Sequence, residues 1–151
     1  MTESSVLDSE QEATWRAFVR AARLLSEELD RELQRDAGMP QTYYEILLRL
    51  SEAPDGTMRM SDLAACSVLS RSRLSHAVAR LEEAGWVCRE ECPTDRRGAY
   101  AVLSEAGVTA LQGATPGRVD SIRAHLFAQL APPQVAQLRS ISEALVQHLS
   151  G

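Results

Sequence analysis

Apolar residues recur along the chain with two periods, and the change of period divides it. Between residues 10 and 35, Trp15, Phe18, Ala22, Leu25, Leu29 and Leu33 step by three and four, the spacing that lines one face of a helix. Gly38 and Pro40 then stop it. A second helix is expected from Thr42, with Thr42 as cap and Glu45 at the capping-box position. Tyr43, Ile46, Leu47 and Leu50 form its stripe, and Pro54-Asp55-Gly56 ends it with turn chemistry. Residues 57–60 read as a short extended piece. Ser61 opens a short helix over 62–66, with Leu63, Ala64 and Val68 inward. Ser70 caps a third helix over 71–84, where Leu74, Ala77, Val78 and Leu81 share one face and Gly85 is the stop.

Residues 86–91 and 99–103 then switch to β-rich composition around a polar tip, Cys92 to Gly98, as in a hairpin. Helix, strand, helix, helix, strand, strand is the order of a winged helix-turn-helix. Ser104 caps a further helix, with a break or kink expected around Gly113, Pro116 and Gly117. Its stripe resumes at Val119, Ile122, Leu126 and Leu130. Pro132-Pro133 leads into a last helix carrying Val135, Leu138, Ile141, Leu145 and Leu149. The fold expected is mainly α: a winged helix-turn-helix lobe over 40–103 with a small β-hairpin wing, and N- and C-terminal dimerisation helices over 1–39 and 104–151. The flanking stripes need something to bury them. A second copy is the simplest partner, and it would set two recognition helices about one DNA turn apart on a near-palindromic site.

Composition adds limits. With 151 residues and 44% hydrophobic content, the chain can bury a core. Its apolar stretches, such as Ile46-Leu47-Leu48, are short and broken by charge, far below the ~20 residues of a membrane span. The first fifteen residues lack the basic-then-apolar layout of a signal peptide, so a cytoplasmic protein without membrane partners is expected. Net charge is −5, and every basic residue is Arg. The charge is uneven: residues 1–36 hold nine acids against five Arg, whereas 70–81 hold Arg71, Arg73 and Arg80 and no acid. Salt screens beyond about 8 Å, so a local basic segment of an acidic chain can still meet a polyanion.

That segment is the outward face of the helix at 71–84. Ser72, Arg73, Ser75, His76 and Arg80 offer small polar groups and cations near a positive dipole end, a composition suited to a major groove. A plain solvated face would also be polar, but would usually mix in Glu; here Glu82 and Glu83 come only at the far end. At the hairpin, Arg96 and Arg97 suit a narrow minor groove, and Asp95 would hold the tip in shape by pairing with Arg. A solvated turn is the plainer reading of the same residues.

The run 60–107 resembles the MarR family of bacterial winged-helix regulators. The resemblance rests on Asp95-Arg96-Arg97, Val102, Leu103-Ser104 and Gly107 in the wing, and on Arg73-Leu74, Val78, Leu81-Glu82 and Gly85 in the helix before it. It implies an obligate dimer, a wing contact between Asp95 and Arg97, and repression of transcription relieved by a small molecule. Such effectors are often phenolic or aromatic anions held where dimerisation helices meet the DNA-binding lobe. Trp15, Phe18, Tyr43 and Tyr44, four of seven aromatic residues, are the matching candidates, with Arg16 or Arg20 for a carboxylate. Packing of a hinge accounts for the same aromatics, and a solvated position for the arginines.

Some relatives sense oxidants through a cysteine near the start of the first helix, and this chain has none there. Cys66 is expected as half-buried packing. Cys88 and Cys92, if on one extended strand, have α-carbons about 13 Å apart, too far for a disulfide, unless the strand turns at Pro93 or two copies bridge. No basic neighbour is evident that would lower a thiol pKa. Three cysteines and three histidines (His76, His125, His148) lack metal-ligand spacing, and no nucleotide, phosphate-loop or zinc-protease motif is present. Neither cofactor, metal nor enzyme activity is expected. The competing reading is a winged-helix protein-interaction or redox-sensor module, which the five acids between 82 and 95 allow.

Overall fold

A computed structural model describes residues 6–67 and 69–151, apart from the side chains of Arg96 and Arg97. Val68, expected to point inward, lies outside the described residues. The elements are α1 (Ser9–Ala37), α2 (Gln41–Glu52), β1 (Thr57–Arg59), α3 (Met60–Ala65), α4 (Arg71–Glu83), β2 (Val87–Cys92), β3 (Asp95–Leu103), α5 (Glu105–His125) and α6 (Pro132–Ser150), with 3-10 turns at Pro54–Gly56 and Phe127–Gln129. The order from α2 to β3 is that of a winged helix-turn-helix. Two compact units result: 30–118, and 1–29 together with 119–151.

The central unit holds the core. Leu47, Leu50, Leu63, Leu74, Val78, Leu81, Val87 and Ala101 are buried in one cluster with Leu33, Tyr44 and Leu111. Its sheet is antiparallel in the order β1-β3-β2. Gly85 takes φ +77° after α4, the left-handed conformation that lets glycine end a helix.

Several local expectations are corrected. Thr42 does not cap α2. The helix starts one residue earlier, with Pro40 at the cap position, and its Gln41 N–H donates to Asp30 Oδ1 of α1 at 2.8 Å. A carboxylate from the preceding helix therefore takes the cap's place, and Glu45 is free to reach Arg118 instead. Ser61 is not a cap either, because α3 begins at Met60 after Arg59. Ser70 does cap α4, accepting from the Arg73 N–H at 3.3 Å. Ser104 caps α5, accepting from the Gly107 N–H at 3.0 Å and donating to the Gly85 carbonyl at 2.6 Å. The break expected at 113–117 is absent, and α5 runs through with Pro116 inside it. There Thr115 donates to the Leu111 carbonyl at 2.7 Å.

The hairpin also differs. β3 begins at Asp95, four residues before the expected Ala99, so the wing tip is only Pro93-Thr94 and Arg96 and Arg97 lie within a strand. The register shifts between Glu91 and Cys92. Such a bulge reverses side-chain alternation, which is why Cys92 is buried although Cys88, four residues before it, is exposed. Both are free thiols, and Cys66 is exposed rather than half-buried.

The terminal unit combines most of α1, the end of α5, and α6. A capping box opens α1: Asp8 Oδ1 accepts from the Gln11 N–H at 2.8 Å while Gln11 Oε1 accepts from the Asp8 N–H. Leu29 is the only buried apolar side chain of this unit among the described residues. Trp15, Phe18, Val19, Leu24, Phe127, Leu138, Ile141, Leu145, Val146 and Leu149 are all exposed.

Candidate nucleic-acid interface

The outward face of α4 is built by what α4 buries. Leu74, Ala77, Val78 and Leu81 enter the core, which leaves Ser72, Arg73, Ser75, His76 and Arg80 exposed. The first turn carries no acid, so nothing offsets the helix's positive end there. Ser72, Arg73 and His76 have no side-chain partner among the described residues. Arg80 is committed differently: its Nη1 lies 2.8 Å from Glu83 Oε2, and that carboxylate raises the pKa of the guanidinium. Arg71, the first residue of α4, is exposed as well and was not among the expected contacts.

Ser75 is held from the sheet. Arg89 on β2 donates through Nη2 to the Ser75 carbonyl at 2.7 Å and to Ser75 Oγ at 3.3 Å. Its Nε lies 3.4 Å from Glu82 Oε2, and its own N–H donates to Glu82 Oε1 at 3.0 Å. Sequence reasoning missed Arg89, since an Arg in a strand of alternating charge carries no signal of a tie to a helix.

At the wing, the expected pairing of Asp95 with Arg97 falls on a side chain outside the described residues, as does that of Arg96. Asp95 is exposed at the start of β3. The tip is tight: a Cβ on Gly98 would sit 3.3 Å from Cys92 Cβ and 3.5 Å from Asp95 Oδ2. Behind it, Arg59 Nη2 lies 3.5 Å from Cys92 Sγ, and its guanidinium is 5.6 Å from the centre of the Tyr100 ring. Tyr100 first, then Cys92, raise the Arg59 pKa. Hydrogen bonds from Thr94, joined by smaller contributions from Tyr100 and Asp95, lower the Cys92 pKa to about 7. The largest of these is local, a hydroxyl two residues further along the turn, and not a basic neighbour.

The effector candidates fall in different units. Trp15 and Phe18, in the terminal unit, lie 6.5 Å apart at their ring centres and are exposed. Tyr43 is half-buried and Tyr44 belongs to the core of the central unit. Thr115 spends its hydrogen on Leu111, so Tyr44 is the donor in their 3.1 Å hydrogen bond. The cation beside Tyr44 is Arg118, over its ring at 5.6 Å and only 8% exposed. Arg16 is a solvated partner of Glu12, and Arg20 is exposed. Arg118 Nη2 meets Glu45 at 3.3 Å, while Nε and Nη1 are buried without partners.

A buried helix-turn-helix, a second helix whose exposed first turn carries no acid and a three-stranded sheet with its wing define the class: a winged-helix protein. A model of the MarR family matches residues 37–98. The structure superposes with a TM-score of 0.94 on Sco3205 of Streptomyces coelicolor, a MarR family transcriptional regulator solved in complex with DNA. The two are 45% identical over 100% of this chain and 94% of that one. AbsC from the same organism is 39% identical over 98% of this chain and 99% of its own, with a TM-score of 0.91. The transcriptional repressor MprA of Escherichia coli strain K12 is 26% identical over 112 residues, 74% of this chain but only 63% of that protein. The chain belongs to the MarR family, whose members are transcription regulators rather than enzymes. Among the described residues no helix is long and apolar enough to cross a membrane.

Proposed function

We propose that the protein is a cytoplasmic, homodimeric repressor that binds a near-palindromic operator. Each copy sets α4 in a major groove through Ser72, Arg73, Ser75 and His76. The wing, with Asp95 shaping it, brings Arg96 and Arg97 to the backbone or minor groove. The carrying observation is the α4 face: three polar side chains without protein partners beside an acid-free helix start. Support comes from Sco3205, 45% identical and solved with DNA, and from MprA, a repressor. Arg80 contributes less than the sequence suggested, because contact with DNA would have to compete with Glu83. Dimerisation is assigned to the terminal helices on the strength of their exposed apolar stripe. Release by a small aromatic anion completes the reading. A ligand shifts the dimer only by its differential affinity for two shapes.

The test is a mobility shift on the intergenic DNA beside the protein's own gene, at two salt concentrations, with and without salicylate. A specific, salt-dependent shift is expected, weakened by salicylate. Arg73→Ala should cost about 1–3 kcal/mol and relax one base position. Failure to retain even random duplex at low salt would overturn the DNA reading in favour of a protein-interaction module. A shift indifferent to salicylate would remove that ligand class.

A further inference from the structure

After the turn at Gly85 the chain runs back toward the start of α4. The Trp86 N–H donates to the Leu81 carbonyl at 2.9 Å, and Val87 enters the core. Arg89 then clasps α4 at two points seven residues apart. Its Nη2 donates to the Ser75 carbonyl and hydroxyl, and its Nε pairs with Glu82. With the Arg89 N–H on Glu82 Oε1, these are the only hydrogen bonds and ion pairs between α4 and β2 among the described residues. Beyond Arg89, Glu90 and Glu91 are exposed. The tip at Pro93-Thr94 begins four residues further on, about 13 Å along an extended strand. The wing thus projects well past its last polar hold on α4. A rotation of about 5° at Arg89 would carry the tip about 1 Å, whereas a preorganised contact must be held within about 0.5 Å. The guanidinium already meets three oxygens of the protein, Ser75 O, Ser75 Oγ and Glu82 Oε2, which suits it to holding rather than to meeting a phosphate.

We infer that Arg89 is a positioning residue that fixes the angle of the wing on α4, so that wing and recognition helix meet DNA as one preformed surface. Without it, Val87 and Ala101 still seat the sheet in the core. The outer hairpin must then be ordered at the moment of binding, and affinity falls by that cost. The bases read by α4 stay the same. The inference rests on the DNA reading above, including its wing contact through Arg96 and Arg97.

In the experiment, wild-type protein selects an operator from random duplexes. Affinity for that operator and its single-base variants is then measured at two salt concentrations for three proteins, each shown by its melt to be folded. These are Arg89→Met, the wing pair Arg96→Ala with Arg97→Ala, and all three substitutions together. Arg89→Met is expected to bind every duplex about tenfold more weakly, the cost of fixing one backbone residue, with base preferences unchanged. In the wing-pair background the same substitution should cost less than about twofold, because a wing without contacts leaves nothing to position. Arg89→Lys, which keeps the charge but cannot fork to both sites, should lose less than Arg89→Met, and it serves if the Met variant does not fold. A full loss in the wing-pair background would overturn the inference, and a salt slope flattened by about one there would make Arg89 a phosphate contact. Unchanged affinity in a folded Arg89→Met would overturn it too, leaving the clasp merely structural. A wing pair that binds as tightly as wild type removes the wing contact and this inference together, while the reading of α4 stands. A wild-type protein that enriches no duplex removes the DNA reading itself.

Discussion

Gly107 shows how one atom can be decisive. A Cβ there would lie 2.2 Å from the Trp86 carbonyl oxygen and 2.7 Å from Leu103 Cδ1. The first obstacle is backbone and cannot swing aside, so α5 would have to move off the strand entry it packs on. Gly107→Ala should therefore cost about 3 kcal/mol, the upper end for overpacking, and lower the Tm by about 6–12 °C for a chain of this size. A melt within 2 °C of wild type would show that the helix shifts freely. Cys92 makes a second residue-scale prediction, through pH. Its folded pKa is held near 7, below the ordinary thiol value of 9.0, first by the Thr94 hydroxyl. A depressed acid pKa adds stability that is complete above the unfolded value and lost as pH falls through the folded one. The Tm difference between wild type and Cys92→Ser should thus grow in favour of wild type between pH 6 and pH 9. A difference that stays flat would mean the thiolate is not favoured by the fold.

The helices were legible where their signals are local. Apolar periodicity placed α1 and α4 to within two residues, and Ser70 and Ser104 cap as their positions imply. The failures turned on contacts that apolar period and cap spacing do not encode. Asp30 took the place of Thr42, strand pairing drew Arg96 and Arg97 out of a loop, and packing carried α5 through Pro116. The polar tie between α2 and α5 belongs with these, since Glu45 and Arg118 are 73 residues apart. Its energetics are lopsided. Removing one member of a buried ion pair strands the other charge, whereas replacing a poorly satisfied buried ion with an apolar side chain is often neutral or stabilising. Arg118 has two donors without partners, and Glu45 is 43% exposed. Glu45→Gln should destabilise by about 1–3 kcal/mol, less than a wholly buried pair because water reaches the carboxylate. Arg118→Met should be neutral or stabilising. Urea denaturation of both variants checks the asymmetry, and equal losses would show that the pair contributes net stability.

At the scale of the whole molecule the two units bury their apolar surface very unequally. The central unit closes its own core, and Val108 is its only exposed large apolar side chain among the described residues. The terminal unit leaves Trp15 57%, Ile141 58% and Leu149 79% exposed, and large apolar patches on a protein surface mark interaction sites. Periodicity alone does not tell a stripe that folds back within one chain from one that meets a second copy, because both have the same period. In the folded chain the stripe is exposed, and a second copy is the occupant proposed for it. A twofold interface through α1 and α6 would cover these residues and present two copies of α4 together, so that both half-sites bind at the cost of one association. Linking two modest contacts in this way raises affinity by about 10²–10⁴. Substituting Ile141→Glu with Leu145→Glu places charge on the stripe without touching the core of the central unit. Sedimentation should then report a mass near 16.6 kDa instead of twice that value. Affinity for a two-half-site duplex should fall by about 100-fold or more, while affinity for a single half-site stays within about twofold of the wild-type value, as expected of a distant, independent site. A wild-type chain that sediments as a monomer at micromolar concentration would instead require its exposed stripe to be covered by something other than itself.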